Sequence, residues 1–269
     1  MNRLAQALQK DDLFIPFITA GDPSLDVTIE LLLSLQKQGA DVIELGVPYS
    51  DPLADGPTIQ AASIRAIKAG TTLPQILKMI PLARSKGVHV PIILFTYANP
   101  LYQYGFETFV EQASTFEVDG VLVPDLPFEE AQTLATLCEA NGLSFISMVA
   151  PTSRERIKKI ASSASGFLYC VSTTGVTGAR DQLPADLKKF IDTVKQHAQV
   201  PCVVGFGIHK REQVEAIQQY ADGVVIGSAI VKEIEKRGKQ LLIEREKEKA
   251  LAEIEDYIGE LQGINTVSR

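Results

Sequence analysis

VIELGVPYSDPLADGP (42–57) begins as a buried β-strand and continues as something a buried strand does not need. Val42, Ile43 and Leu45 are apolar, yet Glu44 interrupts them, and Asp51 and Asp55 follow in a loop stiffened by Pro48, Pro52 and Pro57. Side chains alternate across a strand, so if Ile43 and Leu45 face a covering layer, Glu44 faces the other way. What lies on that other side decides the fold and the chemistry together.

Similar apolar, β-branched runs recur along the chain, each bounded by Gly, Pro or polar residues. They are FIPFIT (14–19), VIELG (42–46), VPIILFT (90–96), GVLVP (120–124), LSFISMV (143–149), GFLYCVS (166–172), VPCVVGF (200–206) and GVVIG (223–227). Most lack strict polar alternation, as parallel strands covered on both faces do. Helical patterns fill the gaps. After the first run, Asp22 is positioned to cap a helix with Pro23 at its first turn. Val27, Leu31 and Leu35 then line one face, and Gly39 closes it. Pro57 starts a helix that Gly70 ends, and TLPQ (72–75) has the Thr-x-x-Gln form of a capping box, which places a second helix in the same gap. Pro81 is expected to kink that helix or shift its start. The charge-rich segment 232–261 reads as helix with a solvated face.

Eight strand–helix units without a linker predict a closed (β/α)₈ TIM barrel, a single domain over 1–269 with an extra N-terminal helix and an extra helix after the second strand. GFGIHK (205–210) lacks the third glycine of a dinucleotide fingerprint, which argues against an open nucleotide-binding sheet.

The net charge of −7 argues against nucleic acid or an anionic membrane as the principal partner. No apolar run approaches the roughly 20 residues that span a bilayer. The amino-terminal stretch has no secretory pattern, and a cytoplasmic location is expected. Cys138, Cys170 and Cys202 form no C-x-x-C pair and read as packing residues of a reducing compartment. His89, His197 and His209 are scattered, so no metal site is expected.

In such a barrel the site forms at the C-terminal ends of the strands. Glu44 then points into the barrel mouth, where burial raises a carboxyl's pKa and fits it for general acid and base work. Asp55 returns over the same mouth on the loop, and two acids in different settings can hold opposite protonation states. Asp125, in VPDLP after the fourth strand, reads as structural. Across the mouth, STTGVTG (172–178), GFG (205–207) and GSAIVK (227–232) follow the last three strands. Glycines let backbone N–H groups approach phosphate oxygens, and a helix N-terminus adds a favourable dipole. No lysine sits where a Schiff base would form, and no histidine cluster holds a Lewis acid. The residues alone therefore point to carboxylate proton transfer on a phosphorylated small molecule. A phosphosugar isomerase and a non-catalytic phosphate-binding subunit remain open at this level.

Taken together, ELGVPYSDPLADGPTIQ (44–60), TTGVTGAR (173–180), GFGI (205–208) and GSAIVK (227–232) resemble the α subunit of tryptophan synthase. The likeness runs from FIPFITAGDP (14–23) to the C-terminal helix. It implies retro-aldol cleavage of indole-3-glycerol phosphate to indole and glyceraldehyde 3-phosphate, without a cofactor on this chain. Glu44 falls on the family's acid/base and Asp55 on the aspartate that stabilises charge at the indole N–H. Tyr169 matches a pocket tyrosine, and Thr177 matches the threonine that bonds the loop aspartate. Gly178, Phe206, Gly207, Gly227 and Ser228 match the phosphate cradle, while Phe17, Leu122 and Val225 are expected against the indole ring. Phe95, Thr96 and Pro124 depart from common family choices and alter pocket shape. The resemblance also implies a β-subunit partner that carries pyridoxal phosphate, an α2β2 assembly, and contact near 50–55 and 173–184. A free-standing lyase that releases indole would use the same acid pair.

Overall fold

The computed structural model describes residues 2–151, 154–171, 183–205 and 207–263. In chain order these form α1 (Arg3–Ala7), β1 (Leu13–Thr19), α2 (Leu25–Lys37), β2 (Ile43–Gly46), α3 (Pro57–Lys68), α4 (Leu73–Ser85) and β3 (Ile92–Phe95). There follow α5 (Ala98–Tyr104), α6 (Phe106–Thr115), β4 (Gly120–Leu122), α7 (Gln132–Ala140), β5 (Ser144–Val149), α8 (Arg154–Ser162) and β6 (Leu168–Val171). The last are α9 (Leu187–Lys195), β7 (Cys202–Gly205), α10 (Arg211–Gln218), β8 (Gly223–Ile226), α11 (Ser228–Leu241) and α12 (Glu244–Gln262). Each strand pairs in parallel with the next, and β8 pairs back onto β1 through Leu13↔Gly223 and Ile15↔Val225. The ring is closed, as the eight apolar runs predict.

Period-two alternation divides the strands between two cores. Phe14, Ile18, Ile43, Leu45, Leu94 and Val204 face the helices, whereas Leu13, Ile15, Phe17, Ile93, Phe95 and Val203 fill the barrel. Glu44 lies between Ile43 and Leu45 and beside Phe17 and Ile93 in register, so its side chain belongs to the inside. Leu4 of α1 joins the inner cluster, so the extra N-terminal helix closes the barrel floor.

The floor also carries a repeated clamp. Asp41, Asp119 and Asp222 each stand just before an even-numbered strand. Each donates its N–H to one residue of the preceding strand and accepts that residue's N–H on its carboxylate. The partners are Phe14, Ile92 and Cys202. Lys10, Arg84 with Arg3, and Lys195 neutralise the three carboxylates. Ser165 occupies the corresponding place before β6 and bonds the Phe145 carbonyl at 3.0 Å. Paired charge at the N-terminal face of a barrel serves stability and leaves the mouth free for chemistry.

Several local expectations are corrected. Asp22 does not cap α2. Ser24 does, accepting the Val27 N–H at 3.2 Å, because Asp22 is buried and its carboxylate is taken by Arg65 of α3 through two 2.8 Å bonds. The capping box of α4 forms, with Gln75 accepting the Thr72 N–H at 2.9 Å, and the helix runs continuously past Pro81 from the expected start. The segment 232–261 is two helices, α11 and α12, parted at Leu242 and Ile243, and the two pack on each other. A second helix also follows β3, where α5 and α6 are separated by Gly105 at φ +84°, a conformation that suits glycine. The three cysteines are free and buried.

Candidate active site

At the C-terminal ends of the strands, Phe17, Glu44, Ala54, Asp55, Ile59, Phe95, Met148, Tyr169, Gly207, Val225, Gly227 and Ser228 line one cavity. It measures about 500 Å³ including the part open at its mouth, a size suited to a small molecule. Its walls are largely apolar, and its carboxyls are those of Glu44 and Asp55.

Glu44 is 1% exposed and one of its oxygens, Oε1, has no hydrogen-bond partner among the described residues. Burial pushes its carboxyl up to about 8, because the ionised form loses its hydration. At neutral pH it therefore holds a proton. Phe17, its neighbour in register, is accommodated by a missing side chain: a Cβ on Gly46 would lie 2.5 Å from the Phe17 ring.

Asp55 reaches the same cavity from the loop between β2 and α3. The loop turns back through the Asp55 N–H to the Pro52 carbonyl at 3.2 Å, and Gln60 of α3 holds the Asp55 carbonyl at 2.7 Å. Asp55 is 4% exposed, and its Oδ1 has no partner among the described residues. Burial raises it to about 6, and the Tyr97 hydroxyl, donating toward it, opposes that rise. The same hydroxyl accepts the Ala54 N–H at 3.2 Å. Asp55 is thus ionised at neutral pH while Glu44 is not. The cavity holds an acid and a base formed from two carboxyls whose settings differ.

Tyr169 of β6 is held against the pair, and burial with the nearby Glu44 and Asp55 charges raises its phenol well above the ordinary range. It gets there because β7 ends in glycine: a Cβ on Gly205 would lie 2.0 Å from the Tyr169 hydroxyl oxygen. On the far wall, Gly227 precedes Ser228, the first residue of the 14-residue α11, so a helix N-terminus opens onto the cavity beside Gly207 at φ +79°.

The structure thus brings together Glu44, Asp55, Phe17, Tyr169, Gly207, Val225, Gly227 and Ser228 from the sequence-predicted set. Leu122 packs wholly buried in the inner cluster with Phe17, Tyr169 and Val225, and Phe95 and Met148 also stand on the cavity wall. Thr177, Gly178 and Phe206 lie outside the described residues. Asp125 is structural at first contact, accepting the Ala98 N–H at the start of α5 at 2.9 Å. Among the described residues, no group of three or more His, Cys, Asp or Glu side chains is placed to hold a metal ion. No described helix is long and apolar enough to cross a membrane.

Sequence reasoning missed Tyr97, Met148, Ile59 and Ala54. A signal for two of them exists. Continuing the inward alternation past Phe95 reaches Tyr97, and the inward Ile146 leads two residues on to Met148.

A family model described as tryptophan synthase alpha chain matches residues 4–262. The tryptophan synthase alpha chain of Halalkalibacterium halodurans is 56% identical over 262 residues, 97% of this chain and 99% of the relative. That of Shouchella clausii is 57% identical over 259 residues, 96% of each. Among solved structures, the tryptophan synthase A-subunit of Pyrococcus furiosus aligns with a TM-score of 0.84 at 36% identity, covering 95% of this chain and 99% of that one. A chain of the α2β2 tryptophan synthase complex from the same organism aligns with the same TM-score at 35% identity and the same coverage.

Proposed function

The chain belongs to the tryptophan synthase alpha chain family, whose members cleave indole-3-glycerol phosphate, and we propose that it performs this cleavage by proton transfer through Glu44 and Asp55. The observation that carries the mechanism is the pairing of a carboxyl raised to about 8 with one raised to about 6 on the walls of one cavity.

Substrate phosphate binds at the N-terminus of α11, against Gly227, Ser228 and Gly207, with Gly178 and Phe206 completing the cradle. The indole ring lies among Phe17, Phe95, Met148, Tyr169 and Val225. Glu44, protonated, gives its proton to indole C3. The ring then carries positive charge delocalised to its nitrogen, and ionised Asp55 stabilises the N–H there. Such charge complementarity is strongest in a dry, apolar site. Glu44, now a carboxylate, takes the proton of the glycerol hydroxyl next to the ring. The O–H electrons form the aldehyde, the carbon–carbon bond breaks, and its electrons neutralise the ring nitrogen. Indole and glyceraldehyde 3-phosphate leave, and Glu44 has recovered its proton. Thr177 is assigned to bond Asp55 when the site closes.

The reading takes the whole chain as one barrel domain, with no cofactor of its own and a cytoplasmic location. It places a β subunit that holds pyridoxal phosphate over the mouth, in an α2β2 assembly. Leu53, 80% exposed on the loop that leads to Asp55, is an apolar contact suited to that partner. The test is indole release from indole-3-glycerol phosphate, with and without β subunit. The reading predicts slow release by the chain alone and faster cleavage with the partner. No release in either condition would remove it.

A further inference from the structure

Tyr97 owes its place to a residue outside the cavity. It is the N-cap of α5, at φ −96° and ψ 158°, and its own side chain caps nothing because its hydroxyl is engaged at Ala54 and Asp55. The free N–H at the start of α5 goes instead to Asp125, on the loop after β4, at 2.9 Å. Tyr97 is wholly buried, edge-on to Phe95 on one side and stacked on Tyr49 at 5.1 Å on the other. Tyr49 in turn accepts from Asn99 of α5 at 3.2 Å. The Tyr97 backbone and the Asn99 bond that steadies its stacking partner Tyr49 both belong to the first turn of a helix that Asp125 fastens. An uncapped first turn frays, and here it would carry the Tyr97 backbone with it.

We infer that Asp125 is a positioning residue for the reaction: by pinning the start of α5 it fixes the Tyr97 hydroxyl against the loop and carboxyl of Asp55. The inference rests on the assignment of Asp55 above. Of the titratable groups around Asp55, Tyr97 beyond β3 bonds its carboxyl, Glu44 of β2 and Tyr169 of β6 share its cavity, and Asp125 acts in turn on Tyr97. No Lys, Arg or His among the described residues lines the cavity. The Tyr97 hydroxyl is thus the named group that favours ionised Asp55.

The test is a double-mutant cycle on the full chain, measured with β subunit present. Asp125→Ala is expected to lower kcat about 10-fold, as small displacements of a catalytic group do, with KM little changed. Its pH profile should shift so that activity is lost at higher pH on the acid side. Asp125→Asn, which can still accept the Ala98 N–H, should keep most of the activity. In a Tyr97→Phe background, Asp125→Ala should cost less than about twofold more, because coupled residues do not add. Ala98→Pro removes the donor at a position where proline fits a helix start, and the extended Tyr97 backbone suits a following proline. It should reproduce the Asp125→Ala loss, and it carries the comparison if Asp125→Ala does not fold. Equal losses in both backgrounds would overturn the inference. So would a lower melting temperature with kcat and the acid limb unchanged. Full activity in Asp55→Asn would instead overturn the assignment on which the inference stands.

Discussion

The Tyr97 hydroxyl holds the Asp55 loop at two points, donating toward the Asp55 carboxyl and accepting the N–H of Ala54, the residue just before it. One phenol therefore bears on both the position of the loop and the charge on its acid. Tyr97→Phe should remove the bond that opposes the burial penalty, so Asp55 would hold its proton to higher pH. The expected outcome is a fall of about 10-fold in kcat/KM near neutrality and an acid limb displaced upward. Steady-state kinetics across pH checks both.

The pH profile follows from the two raised carboxyls. The proposed mechanism needs Asp55 ionised and Glu44 protonated. It should fall below about 6 as Asp55 takes up a proton, and above about 8 as Glu44 loses one. The free-enzyme values appear in kcat/KM. A profile flat from pH 5 to 9 would mean that neither group controls the step.

The role proposed for Glu44 opposes stability. The folded chain holds the Glu44 proton up to about 8, while an unfolded chain releases it near the ordinary value of 4.5. Protonated burial is favoured below the lower value, and that advantage is lost as pH rises toward the upper one. Glu44→Gln carries no such charge. Its stability relative to the parent chain should increase between roughly pH 5 and 8, to a few kcal/mol at most. Denaturant melts at pH 5 and pH 8.5 would reveal the widening gap.

Gly205→Ala places a Cβ where the Tyr169 hydroxyl now sits. The phenol is on a buried ring that lines the cavity, so it must shift to make room. A loss of about 1–3 kcal/mol of stability is expected, with a larger proportional loss of substrate affinity than Tyr169→Phe produces. Chemical denaturation and substrate titration measure the two.

How much was legible beforehand depends on which physical rule governs each residue. Glu44 was readable because a lone acid in an apolar strand is costly, and alternation told which way it faced. The closed ring was readable because eight covered strands leave few other architectures. Asp22 was misread because local capping and a distant cation compete for one carboxylate, and Arg65 comes from another gap in the chain. Tyr97 was missed because it lies beyond the end of β3, where the strand rule was no longer applied. The split at Leu242 and Ile243 was hidden by a helix-forming composition that runs unbroken through it.

The most direct test of the acid pair is the rate of indole release by Glu44→Gln under conditions where substrate still binds. Gln keeps the shape of the protonated side chain and removes the transferable proton. The account predicts a loss of about 10²-fold or more with binding retained. Turnover at the parental rate in that variant would contradict it.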